Sequence, residues 1–337
     1  MIYRILTESQ YGRKVVYSSE TSSYDVFSDA TMTEGVNQAG ALTFTVPPDY
    51  RRMRSLGGET ILLEDDNGVI WRGWCTSVEK QTDGSTVYTC EGMLAWLNNV
   101  VVTPRTWTNE SPWAILRDIM LIYNSDAPEW RKVHFRADSD DNGEKISYAI
   151  ESPQSTFRCL SDLLSQTGFF VLSHYGDARI SLRADPDGDN AQSVEFGENL
   201  IDYDIYESID DMITCVYAVG DGELTTTYIG AQASEYGKIW GIYTNKDLYE
   251  ETALKSAAQD YLIQHQFGKY SVSASAVDMS FIDSGKSPFA IGKYTRIITP
   301  SATENLIASS RTFYPLDPAE TTVNFGSSRD TLTTMLR

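Results

Sequence analysis

The chain has 337 residues, too many for one small core and enough for two or three domains of ordinary size. Its composition, 41% hydrophobic and 12% aromatic with no low-complexity tract, is that of a folded protein. Forty-seven acidic against 27 basic residues give a formal charge of −20, which repels phosphate backbones and makes nucleic acid and anionic membranes poor partners.

The amino terminus, MIYRILTESQYGRK, has no apolar run before its charges, and nothing later approaches the roughly 18 apolar residues of a spanning helix. The chain is therefore expected to be made in a cytoplasm, without an export signal of its own and without stable membrane insertion. Residues 1–104 read as strands and tight turns. In GALTFTVPP, Leu42, Phe44 and Val46 alternate with Thr43 and Thr45, the period of a half-buried strand, before Pro47 and Pro48 stop it. The stretch ETILLEDDNGVIWRGWCTSVEKQTDGSTVYTCEG then gives one run over Glu59 to Glu64, a turn at Asn67-Gly68, a second run from Val69, a turn at Asp83-Gly84, and a third run to Cys90. Three such antiparallel strands make a meander of the kind found in a small barrel or sandwich.

The four cysteines, Cys75, Cys90, Cys159 and Cys215, form no C-x-x-C and read as buried small hydrophobes. A hairpin turning near Gln81 to Gly84 brings Cys75 and Cys90 opposite each other, and the pattern leaves open whether they are bonded.

From Ser111 the period changes. SPWAILRDIMLIYN offers Ser111 as N-cap, Pro112 at the first helical position, and an apolar face of Ile115, Leu116, Ile119, Met120 and Tyr123. SPQSTFRCLSDLLSQTG repeats the recipe, with Ser152 and Pro153 at the start, Phe157, Leu160, Leu163 and Leu164 on the face, and a stop at Gly168. Two strands follow, Phe169 to Ser173 and Ala178 to Arg183, turning at Tyr175-Gly176-Asp177, so residues 105–199 are expected to form a mixed α/β module. Residues 200–337 return to strands, MITCVYAVG, LTTTYIGA and KIWGIYT among them. One helix interrupts them, predicted over 247–267 with Leu248, Ala253, Ala257, Tyr261 and Leu262 as its stripe and Gly268 at its end.

The closing segment echoes an earlier one. Gly58 to Gly92 and Gly292 to Gly326 both span 34 residues, and each reads strand, polar turn, strand, turn, threonine-rich strand and terminal glycine. The fold class expected is therefore mainly β with an α+β insertion: two related antiparallel β-barrel domains, 1–104 and 200–337, and the small mixed module of 105–199 between them.

At this point the residues resemble a family. GALTFTVPPDYRRMRSLGGETILLEDDNGVIWRGW is similar to the opening of bacteriophage tail hub, or baseplate hub, proteins. Their N-x-x-G-x-L-x-F-x-V-P segment is matched by Asn37, Gly40, Leu42, Phe44, Val46 and Pro47. SASAVDMSFIDSGKSPFAIGKYTRIITP is similar to a later passage of the family, although Lys293 stands where an aspartate is usual. The likeness runs over nearly the whole length, and its specificity comes from the order of the motifs. It implies a virion structural protein of the tail tip: a homotrimer in which two similar barrels per subunit make a ring of pseudo-sixfold symmetry, adapting a sixfold tube to threefold proteins. The partners so implied are a distal tail or tail tube protein, the tape-measure protein, a tip, spike or fibre protein, and DNA in transit only. Prophage tail endopeptidases and tail-associated lysins are related in this region, so a cell-wall-degrading tail endopeptidase and a carbohydrate-binding tail protein are the competing readings. The absence of a further domain after Arg337 leads to the expectation that wall cleavage and receptor binding sit on another chain.

A search for chemistry finds little. His134, His174 and His265 are scattered, with no H-E-x-x-H, and there is no G-x-S-x-G elbow. SGKS at Ser284 to Ser287 lacks the first glycine of a phosphate loop, and Pro288 stands where its helix would begin. DSDDNGE places Asp138, Asp140 and Asn142 at positions one, three and five of a calcium loop with Gly143 at six, but Ala149 occupies position twelve. DPDGDN offers Asp185, Asp187 and Asp189, again without a closing acid. Calcium at the first loop would serve to rigidify it. No catalytic residue and no other cofactor is expected. Tryptophans 71, 74, 107, 113, 130 and 240 are assigned to the core or a subunit interface rather than to a sugar platform.

Overall fold

The computed structural model describes residues 2–20, 27–48, 59–136, 143, 145–186, 188–208, 212–265 and 269–326. The first seven strands are β1 (Arg4–Ser9), β2 (Gly12–Ser18), β3 (Asp29–Gly35), β4 (Ala41–Val46), β5 (Thr60–Asp65), β6 (Gly68–Lys80) and β7 (Thr86–Gly92). They lie in the order β3-β4-β7-β6-β5-β1-β2, each antiparallel to its neighbours. Leu42, Phe44 and Val46 of β4 are buried while Thr43 and Thr45 are half-buried, as the alternation predicts. A central strand has no place for proline, and β4 is central. The ladder therefore ends at Val46, opposite Thr86 at the start of β7, and the prolines follow beyond it. Pro48 then rests on the β6–β7 turn, its ring carbons 3.2 and 3.3 Å from where a Cβ would stand on Gly84.

The mixed module contains β8 (Val101–Val102), β9 (Arg105–Glu110), α1 (Pro112–Asp126), β10 (His134–Phe135), β11 (Ile146–Ile150), β12 (Gln154–Ser155), α2 (Thr156–Thr167), β13 (Phe170–His174) and β14 (Arg179–Arg183). Helix α1 is capped as predicted, the Ser111 hydroxyl accepting from the Ala114 N–H at 3.2 Å, and its face from Ile115 to Tyr123 is buried. Helix α2 begins later than its sequence signal. Ser152 and Pro153 lie before it, Gln154 and Ser155 pair with Val102 and Val101, and Ser155 is the N-cap, accepting from the Arg158 N–H at 3.2 Å. The strand pairing holds the Pro153 segment extended, so the second serine takes the role assigned to the first. Gly168 ends the helix at φ 66°, in the left-handed region that a C-terminal glycine supplies. One core runs through β1–β7 and this module, from Tyr3 and Trp71 to Leu163 and Leu182.

After β15 (Val194–Glu195) and β16 (Leu200–Ser208) come β17 (Cys215–Val219), β18 (Thr225–Ile229), a short α3 (Ala233–Tyr236), β19 (Trp240–Thr244) and α4 (Glu251–His265). Residues 204–272 form a compact unit of their own. Its sheet has β17 at the centre, antiparallel to β18 and parallel to β19. The buried stripe of α4 is Leu254, Ala258 and Leu262, flanked by Leu248 and Tyr261. The predicted stripe through Ala253 and Ala257 is therefore one residue out of phase; alanine is too small to mark a face when neighbouring positions also carry it. Gly268 lies outside the described residues.

The chain ends with β20 (Lys269–Val277), β21 (Tyr294–Ile298), β22 (Thr303–Phe313) and β23 (Thr322–Gly326). Residues 273–337 share a compact unit with residues 1–203, so the stretch 200–337 is divided between the two units. The physical reason is β22. Its first part pairs with β21, its second with β23, and Ser310 to Phe313 pair with Gly35 to Met32 of β3, which joins both β regions into one sheet.

The echo is visible in the strand order. The block β3-β4-β7-β6-β5 is repeated as β16-β20-β23-β22-β21. Both long strands carry a bulge at a hydroxyl residue, Thr76 in β6 and Ser309 in β22. Thr76 Oγ1 donates to the Thr89 carbonyl at 3.1 Å and Ser309 Oγ to the Asn324 carbonyl at 3.0 Å, so the two bulges are closed by the same bond. The difference lies in one connection. Val36 to Gly40 links β3 to β4, whereas the connection from β16 to β20 is residues 209–268, which carry β17–β19, α3 and α4.

Candidate functional site

The residues that match the tail hub pattern sit where the β regions and the mixed module meet, all within the unit of 1–203 and 273–337. Asn37 adopts φ 58°, its backbone N–H donates to the Val171 carbonyl at 2.9 Å, and its Oδ1 accepts from the Val171 N–H at 2.7 Å. Gly40, at φ 71°, has the Tyr175 hydroxyl 2.5 Å and the Thr33 carbonyl 2.6 Å from any added Cβ. The Asn and Gly of the pattern are thus the two residues that dock the β3–β4 turn onto β13 and the Tyr175 turn.

Arg72, in the WRGW stretch, is buried. Its guanidinium pairs with Glu8 of β1, which also pairs with Arg13 at 2.7 Å, and its Nε donates to the Tyr175 carbonyl at 3.3 Å. Burial pulls its pKa below the usual guanidinium value, and Glu8 opposes that shift. Arg311 of β22 pairs with Glu34 of β3 at the junction of the two β regions. In the closing segment Asp278 is fully buried and accepts from Gln192 Nε2 at 3.2 Å, Ser280 N–H at 3.1 Å, Ser280 Oγ at 2.7 Å and Phe289 N–H at 3.2 Å. These knots hold loops against strands.

The structure brings two of the three histidines near each other. His134 and His174 both lie opposite Arg179, on the two strands that flank β14. His174 Nε2 is 3.0 Å from Ser181 Oγ, and His265 Nδ1 is 2.8 Å from the Tyr261 carbonyl with its ring 4.3 Å from that tyrosine's. Among the described residues no three His, Cys, Asp or Glu side chains are placed to hold a metal. Asp138, Asp140 and Asn142, and Asp187 of the second loop, lie outside the described residues; Asp185 and Asp189 are exposed. SGKS forms a turn in which the Gly285 N–H donates to Asp283 at 2.8 Å and Lys286 pairs with Glu198 at 3.4 Å, a surface arrangement without a following helix. Cys75 and Cys90 are cross-strand partners and both are free, buried thiols. The hydrogen bond with Cys75 and then burial hold the Cys90 thiol well above its usual range.

Trp71, Trp107 and Trp113 are buried, and Trp74 lies under the Arg131 guanidinium at 5.0 Å. Trp107 donates to Asp118 at 3.2 Å and stacks on Tyr148 at 5.7 Å. Trp130 is half-buried, and Trp240 is the exception at 48% exposed. Trp96, which the sequence reading passed over, is fully buried; its place in the short 3₁₀ segment Met93–Asn99 after β7 carries no periodic signal. Among the described residues no helix is long and apolar enough to cross a membrane.

No protein-family description matches this chain, and no curated protein matches it in sequence. Solved structures do. It superposes on the 43 kDa tail protein of prophage MuSo2 from Shewanella oneidensis with a TM-score of 0.65 at 14% identity, covering 98% of this chain and 99% of that one. A tail protein from Neisseria meningitidis gives a TM-score of 0.64 at 12% identity over 97% and 98% of the two chains. A prophage tail protein from Listeria monocytogenes gives 0.62 at 9% identity over 99% and 97%. End to end, this chain has the fold of prophage tail proteins, the fold that its resemblance to the tail hub family implied.

Proposed function

We propose that the chain is a structural component of a bacteriophage tail, seated at the tail tip or baseplate as a hub, with no catalytic activity of its own. The observation that carries the reading is the repeated five-strand block within one tail-protein fold. A subunit with two similar blocks becomes, as a trimer, six similar blocks in a ring, the arrangement a threefold protein needs to meet a sixfold tube. The charge of −20 suits a ring through which DNA passes without sticking. The partners proposed are a tail tube or distal tail protein on one face, a tip, spike or fibre protein on the other, and the tape-measure protein within. The test is native mass. A species of three times the 37.7 kDa chain, found by native mass spectrometry or light scattering, is the expected result, and a clean monomer at all concentrations overturns the trimer. Loss of turbidity of host cell walls on adding the protein would overturn the non-catalytic reading.

A further inference from the structure

Cys75 of β6 and Cys90 of β7 stand directly opposite each other in an antiparallel ladder. Residues opposed in this way project from the same face of the sheet with Cα atoms about 4.5–5.5 Å apart, inside the roughly 4.4–6.8 Å that a disulfide spans. Both side chains are buried in the first core and hydrogen-bonded to each other, and the Cys75 thiol donates to the Ser77 carbonyl at 3.4 Å. The two sulfurs are neighbours before any bond is made.

The second block shows what packing alone asks of this place. There the pair just before the bulge is Ala308 opposite Phe325, both buried, as Cys75 and Cys90 are the pair just before the bulge at Thr76. A small side chain against a large one satisfies the contact without sulfur, and only the first block sets two thiols together at it. The remaining cysteines have other company. Cys215 faces Ile229 and Trp240 across its strands, and the Cys159 thiol hydrogen-bonds with Gln154.

We propose that Cys75 and Cys90 are an oxidative modification site, joined by hydrogen peroxide into a disulfide that ties β6 to β7. In the first step the Cys75 thiolate attacks one peroxide oxygen, the O–O bond breaks, hydroxide leaves, and Cys75 becomes a sulfenic acid. The Cys90 sulfur then attacks the Cys75 sulfur, the S–O bond breaks, and water departs with the Cys90 proton. Two thiols and one peroxide give one disulfide and two waters, each sulfur losing one electron and peroxide gaining two. The order of attack follows from the bond between the thiols, which holds Cys75 below its usual range against the effect of burial and Cys90 well above its own. Burial selects the oxidant. Peroxide is uncharged and close to water in size, whereas glutathione disulfide must bring a peptide to a sulfur with no open face. A cytoplasmic thiol pool keeps such a pair reduced, so the bond belongs to oxidising surroundings. The inference does not depend on assembly into a tail, because the bond is read on the isolated chain.

The test treats the folded full chain with hydrogen peroxide, then unfolds it in guanidinium chloride and blocks free thiols with iodoacetamide. Blocked thiols are expected to fall from the four of the sequence to two, with Cys159 and Cys215 still free as internal controls. Trypsin is expected to release residues 73–80 linked to residues 81–105, a species that dithiothreitol splits. In Cys90→Ser the reaction stops at the Cys75 sulfenic acid, which dimedone traps; a folded variant without that adduct overturns the order of attack. Should Cys90→Ser fail to fold, the peptide map of the unaltered chain still decides whether the bond forms. Four blocked thiols after treatment, a link to Cys159 or Cys215, or sulfinic acid at Cys75 in place of the linked peptides overturns the proposal.

Discussion

The two five-strand blocks share a strand order and a bulge, yet almost nothing else. The first is filled with large aromatics, Phe44 stacked on Tyr88 at 4.9 Å beside Tyr17 and Trp71, and shares its core with helices α1 and α2. The second is filled with alanines 274, 276 and 308 around Phe289 and Phe325, which meet edge-on at 5.2 Å. One closes its first hairpin in the short turn Val36 to Gly40; the other carries residues 209–268 at the same connection. The comparison teaches that this architecture is carried by backbone pairing and by a few polar knots. Side-chain volume is free to vary between blocks so long as each face stays apolar.

Removing those knots is the most severe way to break the comparison. Arg72→Ala in the first block leaves Glu8 without its buried partner and the Tyr175 carbonyl without a donor, and is expected to cost about 4 kcal/mol in urea unfolding. A loss below about 1 kcal/mol would show that the pair is too well solvated to act as a knot. The counterpart in the second block is Asp278→Ala. It strands the Ser280 and Phe289 N–H groups and Gln192 in a buried site, for an expected loss of about 3 kcal/mol, with faster hydrogen exchange over 279–292 and partial recovery in Asp278→Asn. Unchanged exchange there would remove Asp278 from its assigned role.

Gly40→Ala tests the connection that the second block lacks in this form. The left-handed φ and the 2.5 Å approach to the Tyr175 hydroxyl set an expected loss of about 2 kcal/mol, and a neutral result would mean that the turn re-forms without docking on the mixed module. The gentlest probe is the matched pair Thr76→Val and Ser309→Ala. Each deletes one partly solvated bond at a bulge, so each is expected to cost about 0.5 kcal/mol. Equal losses sharpen the equivalence of the blocks; a clear difference says that only one bulge needs its hydroxyl.

How far the chain was legible from its residues follows the range of the interaction. Alternation along Leu42, Phe44 and Val46, the Ser111 cap with Pro112, the Gly168 stop and the Asn67-Gly68 and Asp83-Gly84 turns are set within a few residues, and each element appears where its residues put it. The 34-residue echo was readable because hairpin strands are neighbours in sequence as well as in space.

What the sequence alone could not decide depends on partners far along the chain. Val101 and Val102 moved the start of α2 from Ser152 to Ser155, and the neighbours of α4 chose Leu254 and Ala258 over Ala253 and Ala257. The β3–β22 pairing, which sets Glu34 against Arg311 across 277 residues, joined the closing strands to the opening ones in one sheet. Local periodicity fixes which face of an element is apolar. Which other apolar face covers it, and which charges then converge, is settled only when segments distant in the chain pack together.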